Sequence, residues 1–457
     1  MSASLSPVAA KRVFLTLSLT RWLPVGFVVG LFTLVARERG LSIQEITLYM
    51  TAQGIMVFLL ELPTSGFADA LGRRPLLIIA GVVNIVAGVS FLVAHSFWQF
   101  ALSAGLMGIY RALDSGPLEA WYVDTVHERE PGADVHRAMS AQGVLVGVGM
   151  GGGALVSGAL VAWHPFKDSS ALLLPVQIFV ALSVVHLLAT VVLLREKPRS
   201  DSRMRARLAE SVRETPAVVR DGVRLVTRNR VLAGLVAVEL FWVTGMMAYE
   251  TLMPLRLSDL LGSEAEAGAW MGPAAAGGWG LFSVGSWLGG RAADRFGLVR
   301  AAILGRIVNG LGVVLMGLAF GPVALIVAYL FTYSMHGAAS PAYSGLMHRE
   351  ASSRNRATIL SLGSLVMQAG GAVVGPLLGL LAARTSIPTA MVVAGVVSTL
   401  GFVCFVPAWR HGRTTPVDEA PSDDIGDADD LVETATTHGS LPADDHGRAE
   451  TPAPHSP

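Results

Sequence analysis

Long apolar stretches separated by short polar turns dominate the first 410 residues of the chain. A helix that crosses a lipid bilayer needs about 20 mostly apolar residues. Because most turns are short, neighbouring helices are expected to pack antiparallel. The pattern therefore predicts an all-α membrane protein with twelve transmembrane helices. The predicted spans are residues 13–36, 46–68, 75–94, 98–122, 138–163, 171–194, 231–256, 267–290, 299–320, 322–346, 357–383 and 388–409.

Basic residues fall unevenly on the two sides of this predicted bundle. If the N-terminus is cytoplasmic, the inner segments near the membrane hold 25 lysines and arginines and the outer turns hold 5. Cytoplasmic loops of membrane proteins carry the excess of Lys and Arg, so the asymmetry predicts cytoplasmic N- and C-termini. Arginine outnumbers lysine 31 to 3, which is typical of a GC-rich bacterial genome. We therefore expect a multi-pass protein of the inner cell membrane.

Charged residues divide the chain into four predicted regions. Residues 195–230 hold 16 of the 68 charged side chains, and 11 of these are basic, so we interpret this segment as a cytoplasmic linker. It would join an N-terminal six-helix bundle, 1–194, to a C-terminal six-helix bundle, 231–410. The remaining segment, 411–457, is acidic, contains six prolines and has almost no large apolar residue. Such a segment cannot bury enough apolar surface to fold, which predicts a disordered cytoplasmic tail.

The two predicted bundles resemble each other in sequence. The turn Gly66-Phe-Ala-Asp69-Ala-Leu-Gly72-Arg73-Arg74 follows the second span, and Gly290-Arg-Ala-Ala-Asp294-Arg295-Phe-Gly297 follows the eighth. Gly147 and Gly371 each begin a Gly-x-x-x-Gly pattern, and Pro117 matches Pro341 at the same offset of 224 residues. Repeats of this kind are typical of secondary transporters. The sequence thus predicts a duplicated, pseudo-symmetric six-helix unit.

The repeated turn at these two positions resembles the major facilitator superfamily, over about residues 12–410. Within it the chain is most similar to bacterial drug and metabolite exporters, because Arg111 lies where those proteins carry an intramembrane arginine. Gly371-x-x-x-Gly375-Pro376 is similar to their antiporter pattern, although it stands in the eleventh span. The resemblance implies alternating access between two bundles, with spans 1, 4, 7 and 10 around a central cavity.

Several other function classes are excluded or disfavoured by the sequence. The net charge is zero, so nothing indicates nucleic acid. The single cysteine, Cys404, excludes an intramolecular disulfide. No lysine follows a glycine and no His-Glu-x-x-His is present, so neither a phosphate-binding loop nor this zinc motif exists. We expect no cofactor, no metal and no enzymatic activity.

Apart from Arg256 and Arg300, which are counted with the adjoining turns, eight charged residues lie within the predicted spans, where charges are costly and either pair or line a wet cavity. They are Arg21, Glu61, Arg111, Asp114, Glu119, Glu239, Glu250 and Arg306. On one helical stripe, Asp114 and Glu119 flank Arg111. The resemblance implies that Arg21, this stripe, Glu239 and His336 converge on the cavity and bind substrate or protons. The alternative is a purely structural set of intramembrane ion pairs.

Asp114 is the favoured coupling carboxylate, because it lies deeper than Glu119 on the stripe. Glu61 is expected to be structural, on a helix that need not line the cavity. We expect Glu250 to lie near the outer surface and to be solvated. Arg306 is expected to be structural or to reach the inner headgroups, out of reach of the carboxylates.

The repeated turns are the predicted gates. By resemblance, Asp69 and Arg73 of the first turn should pair with Asp124 at the inner end of the fourth span, close to the N-terminus of the eleventh span. Arg74 completes the first turn, and Asp294 and Arg295 belong to the second.

The predicted function is secondary active transport of a small organic compound, with proton-coupled efflux favoured. The expected partners are the substrate, a proton or other coupling ion and the lipid bilayer, and the chain is expected to be a monomer. The first alternative is a proton-coupled importer of a nutrient or metabolite. A remote alternative is a non-transporting membrane receptor on the same scaffold.

Overall fold

The computed structural model describes residues 5–196, 222–351 and 356–414, together with 213, 216, 217, 219 and 220. All regular structure in these residues is helical. The helices are α1 Pro7–Phe27, α2 Leu31–Glu38, α3 Ile43–Leu71, α4 Arg73–Leu92, α5 Phe97–Asp114, α6 Pro117–His127, α7 His136–Trp163, α8 Leu173–Leu193, α9 Arg230–Met247, a π-helical turn Ala248–Leu252, α10 Met253–Leu261, α11 Glu264–Phe296, α12 Leu298–Gly317, α13 Pro322–Glu350, α14 Arg356–Arg384, α15 Ile387–Leu400, a 3-10 turn Gly401–Phe405 and α16 Val406–Thr414.

Within the described residues, ten helical segments are long and apolar enough to cross a membrane, which makes this a multi-pass membrane protein. The predicted spans 98–122 and 267–290 are not among the ten. The first is divided between α5, which has only 18 residues and contains Arg111 and Asp114, and α6. The second lies inside α11, which is rich in Gly and Ala and ends in charged residues. The count of twelve stays a prediction.

Three spans are interrupted well past their midpoint. Gly30, between α1 and α2, and Gly116, between α5 and α6, have φ angles of 74° and 93°. This left-handed conformation is easy only for glycine, and Pro117 then starts α6 because proline is favoured at the first helical position. The third interruption is the π-helical turn Ala248–Leu252 ahead of α10. Such turns are often found at functional sites.

The helices before and after the linker pack in the same pattern. In the N-terminal part, residues 5–196, α1 contacts α7 and α8, α5 contacts α3 and α4, and α4 contacts α8. In the C-terminal part, residues 222–414, α9 contacts α14 and α15, α13 contacts α11 and α12, and α12 contacts α15. Each contact in one part has its counterpart in the other. This agreement supports the duplication inferred from the sequence.

Two helix pairs carry most of the contact between the parts: α3 with α14, and α7 with α11. In the second pair, a Cβ placed on Gly272 would lie 2.6 Å from both the carbonyl oxygen of Ala154 and the Cα of Gly158. Backbones approach this closely only where side chains are absent, as is common between membrane helices. A Cβ on Gly147, by contrast, would meet nothing within 4 Å, so the predicted Gly147–Gly151 pattern is not itself a close crossing.

The buried apolar residues are distributed unevenly between the two ends of the bundle. One cluster includes Leu31 and Leu34 from the N-terminal part and Leu252 and Met271 from the C-terminal part. The other clusters, such as those around Phe14 and Phe405, each stay within one part. The parts are therefore joined at the end that carries the α2–α3 and α10–α11 turns, here named the closed end.

By its contacts the chain divides into Met1–Arg410 and His411–Pro457. Most of the predicted linker, 195–230, and all of the predicted tail beyond residue 414 lie outside the described residues.

Candidate functional site

A cavity of about 620 Å³ lies between the two parts. This is the size of a pocket for a small organic molecule. Helices α1, α3, α5, α9, α11 and α14 and the π-helical turn all contribute to its lining. Its polar lining residues are Arg21, Thr47, Thr51, Gln53, Glu61, Asn84, Tyr110, Arg111, Asp114, Ser115, Glu250, Thr251, Ser364 and Gln368. Apolar side chains such as Trp22, Met246, Met367 and Trp279 complete it.

Arg21 and Asp114 form the tightest ion pair at the cavity. Arg21 Nε lies 2.5 Å from Asp114 Oδ2, and Asp114 is buried. Arg21 Nη1 also lies 3.8 Å from Glu119, and its guanidinium lies over the Trp22 ring at 5.1 Å. Because α1 and α5 belong to the same part, this pair holds one part together and neutralises the deepest predicted carboxylate.

Arg111 differs from Arg21 in that none of the described residues pairs with it directly. Among the described residues, no acceptor forms an ion pair or hydrogen bond with its guanidinium, and its side chain is exposed to the open cavity. The carboxylates of Glu61 and Glu250 are close enough to interact with it electrostatically. A charge at membrane depth is tolerated where it lines a water-filled cavity, and Arg111 is therefore available to a ligand.

Glu61 lines the cavity, so the expectation that its helix need not do so is wrong. It accepts a hydrogen bond from Ser364 Oγ at 2.8 Å. Ser364 belongs to α14, and this bond therefore joins the two parts. The reason is the α3–α14 contact, which brings these two helices to the centre of the bundle.

Glu250 also lines the cavity, whereas it was expected near the outer surface. Its carboxylate accepts a short hydrogen bond from the Tyr333 hydroxyl. The predicted span ends at residue 256. In the structure, α9, the π-helical turn and α10 form one continuous helix that ends at Leu261. Eleven residues of helix, about 16 Å, thus separate Glu250 from the end of this helix.

His336, Glu239 and Glu119 lie outside the cavity lining. His336 Nδ1 accepts a hydrogen bond from Trp242 Nε1 at 3.3 Å, and its ring packs against Phe282 with centroids 5.2 Å apart. The helix that carries it, α13, reaches the cavity only through Tyr333, which contacts Glu250. The implied lining by spans 1, 4, 7 and 10 is therefore wrong for span 10, because α3, α11 and α14 occupy that surface.

Glu239 and Glu119 are held by other polar groups. Glu119 Oε1 accepts a hydrogen bond from Gln142 Nε2 at 2.6 Å. Glu239 is buried beside Arg306, with which it interacts electrostatically. Arg306 is itself 5% exposed, so it neither reaches headgroups nor lies beyond the carboxylates, contrary to expectation. The reason is that α12 packs between α13 and α15 and directs this side chain into the C-terminal part.

The first predicted gate is formed in part. Arg73 Nη1 lies 2.5 Å from Asp124 Oδ2 and donates to the Ala120 carbonyl at 2.8 Å. The backbone N–H groups of Arg73 and Arg74 donate to the Glu196 carboxylate at 3.1 and 2.8 Å. Both contacts stay within the N-terminal part. The side chain of Asp69 lies outside the described residues.

Within the described part of the chain, the second turn makes no comparable contact. Asp294 and Arg295 are exposed at the end of α11, and neither forms an ion pair with another described residue.

Several cavity residues were not anticipated from the sequence. Gln53 and Gln368 contribute amide groups from α3 and α14, and Trp279 contributes an aromatic face from α11. The sequence signal for this region was the pair of glycines Gly54 and Gly371, which lie near the two glutamines along the chain. Small residues indicate that membrane helices pack closely at that position. Nothing in the spacing shows that these glutamines share a cavity.

Comparison with known proteins agrees with this architecture. A family model described as Major Facilitator Superfamily matches residues 14–291 and 280–441. Among solved structures, the nucleoside transporter NupG superposes with a TM-score of 0.70 at 12% identity, over 88% of this chain and 99% of that one. A mutant of the same transporter gives a TM-score of 0.70 at 13% identity, over 87% of this chain and 99% of that one. No curated protein matches the chain.

Proposed function

The chain belongs to the Major Facilitator Superfamily, a family of transporters rather than enzymes, and we propose that it is a secondary active transporter that moves a small organic compound by proton-coupled export. The observation that carries the proposal is the cavity between the parts. It combines Arg111, which pairs with none of the described residues, with two carboxylates from opposite parts. The cavity supplies a binding site, and the carboxylates supply groups that can exchange a proton.

Alternating access needs two parts that move against each other around the site. The shared apolar cluster and the α2–α3 turn are at one end, and each part has its own separate cluster at the other. With cytoplasmic termini, as the positive-inside rule predicts, the closed end is the outer end. The structure would then correspond to the inward-facing state of a two-bundle transporter in the inner membrane.

The cavity lining suggests the chemistry of the substrate. Arg111 and the amides of Gln53 and Gln368 offer hydrogen bonds, while Trp22 and Trp279 offer aromatic faces. A planar, polar heterocycle suits such a lining, since rings stack on aromatic side chains and their edges bond to amides. The likeness to a nucleoside transporter supports testing nucleosides first, and uptake of a nutrient or metabolite is accordingly the second candidate function.

The test is flux into and out of liposomes that contain the purified full-length protein. A panel of labelled nucleosides, amino acids and amphipathic drugs is presented with and without a pH gradient. Accumulation of one compound against its own gradient, abolished by an uncoupler, is expected for the wild type. Absence of flux for the whole panel in either direction would contradict the transporter function, and inward accumulation would favour the importer.

A further inference from the structure

Three carboxylates share the cavity with Arg111, and they differ in where they stand relative to it. Asp114 lies on the same helix, α5. Glu61 lies on α3, which packs directly against α5 within the N-terminal part. Glu250 lies on the π-helical turn of the C-terminal part. Only the last of these carboxylates faces Arg111 across the boundary between the parts.

This difference matters when the two parts move as units. Distances within one part are then preserved, so Arg111 keeps its position relative to Asp114 and Glu61 in every state. Asp114 also retains its 2.5 Å contact with Arg21. The separation of Arg111 from Glu250 is the one that changes. A carboxylate that gains and loses its counter-charge once per cycle is the group whose proton occupancy can follow the motion.

From this geometry we propose that Glu250, and not Asp114, is the carboxylate that couples a proton to the movement of the two parts, with Arg111 as its alternating counter-charge. The proposal rests on the transport function proposed above. When the parts separate Arg111 from Glu250, the carboxylate takes one proton from cavity water, and when Arg111 returns, the proton leaves to water. The Tyr333 hydroxyl, which donates to Glu250, positions the carboxyl through both states.

Among the residues that the structure describes, Arg111 is the one cation that acts on the Glu250 carboxylate itself. Helix α15, which packs on the π-helical turn, has no titratable side chain. Helix α10 carries Arg256 and Asp259 more than one turn further along, and α9 carries Glu239 outside the cavity. The remaining titratable groups that face this region are Tyr249, Tyr329, Tyr333 and His336. Arg306 interacts electrostatically with Tyr249 and His336 and is buried beside Glu239, and Arg21 is paired with Asp114. Arg111 is thus the cation whose approach decides the charge of Glu250.

The cavity charges support the same assignment. Its lining holds two arginines and three carboxylates. One arginine is committed to Asp114, which leaves Arg111 to balance both Glu61 and Glu250. One negative charge is therefore in excess, and an isolated charge away from bulk water is costly. When Arg111 is far from Glu250, a proton on Glu250 removes the excess negative charge of the cavity.

The test uses the full chain with Cys404→Ala, reconstituted in lipid, and needs no substrate. Infrared difference spectra recorded across a pH titration report the band of the protonated carboxyl group. Spin labels at Glu130→Cys and His348→Cys, one on each part at the open end, report the distance between the parts. We expect a titrating carboxyl band and a pH-dependent distance in the wild type, both lost in Glu250→Gln. Glu61→Gln and Asp114→Asn, which remove the other two cavity carboxylates, should still show the titrating band of Glu250.

Two further variants keep the test decisive if Glu250→Gln does not fold. Glu250→Asp retains a carboxyl and should retain the pH-dependent distance, whereas Arg111→Gln should abolish it because the link between the parts is gone. A band or a pH-dependent distance that disappears in Asp114→Asn but persists in Glu250→Gln would overturn the assignment. Absence of any flux in the liposome panel, with this titration present, would contradict the transport function and leave the assignment of the proton site standing.

Discussion

The closed end of the bundle is locked by an ion-pair network that should control access to the cavity from that side. Arg37, at the end of α2, lies 2.5 Å from Asp259 on α10 and 3.6 Å from Glu264 at the start of α11. Both carboxylates belong to the other part. We predict that Arg37→Gln shifts the protein towards the state that is open at this end.

The magnitude follows from the exposure of the three side chains, which are 26%, 31% and 33% exposed. Partly exposed ion pairs contribute about 0.2–1 kcal/mol each, and solvent screens them further. Two pairs that share one guanidinium should together contribute about 1 kcal/mol. Because 1.4 kcal/mol corresponds to a factor of ten, loss of Arg37 should change the ratio of the two states about fivefold. High salt should reproduce part of the shift in the wild type.

The measurement is a distance distribution between spin labels at Gln44→Cys and Glu266→Cys, one on each part at the closed end. Arg39→Gln is the matched control, since Arg39 lies on the same turn but donates to the carbonyls of Phe91, Leu92 and Ala94 within its own part. The control should keep the wild-type distribution. If Arg37→Gln also kept it, the apolar cluster alone would hold the end shut and the ion pairs would be incidental.

Three more predictions follow from packing and charge. Gly272→Ala should destabilise the contact between α7 and α11 by about 1–3 kcal/mol, because its Cβ would clash with the backbone of α7. Gly280→Ala is the control, since a Cβ at Gly280 would meet nothing within 4 Å. Equal melting temperatures for the two variants would refute the close crossing. Arg73→Gln should loosen the open end of the N-terminal part and raise labelling at Thr125→Cys, beside Asp124 on α6, and unchanged labelling would show that the pair with Asp124 is unimportant. Deletion of residues 415–457 should leave membrane insertion and flux intact, and loss of either would contradict the prediction of a disordered tail.

The sequence was sufficient for the fold but only partly for the site. The apolar stretches predicted an all-helical, multi-pass membrane protein, and the repeated turn with Asp69 and Asp294 indicated the superfamily; both are confirmed. These features are encoded locally, in the length of each stretch and in a short motif. The role of each site residue stays a prediction.

The misplaced cavity residues share one cause, which is that depth was counted along straight, isolated spans. Glu250 was misplaced because its helix continues to Leu261 beyond a π-helical turn. The break after Asp114 was not recognised, although Gly116-Pro117 is a signal for the end of one helix and the start of another. Glu61 was expected to be structural, on a helix that need not line the cavity, because spans treated in isolation do not show which helices of the two parts face each other.

The apolar cluster shared by both parts has a consequence for how the protein should respond to temperature. Separating the parts at the closed end would uncover side chains such as Leu31, Leu34, Leu252 and Met271, all of which are at most 2% exposed. Where such surface meets water, the heat capacity of the protein rises. The free-energy difference between the two states should consequently depend non-linearly on temperature. Cooling should favour the state open at this end, because apolar association weakens in the cold.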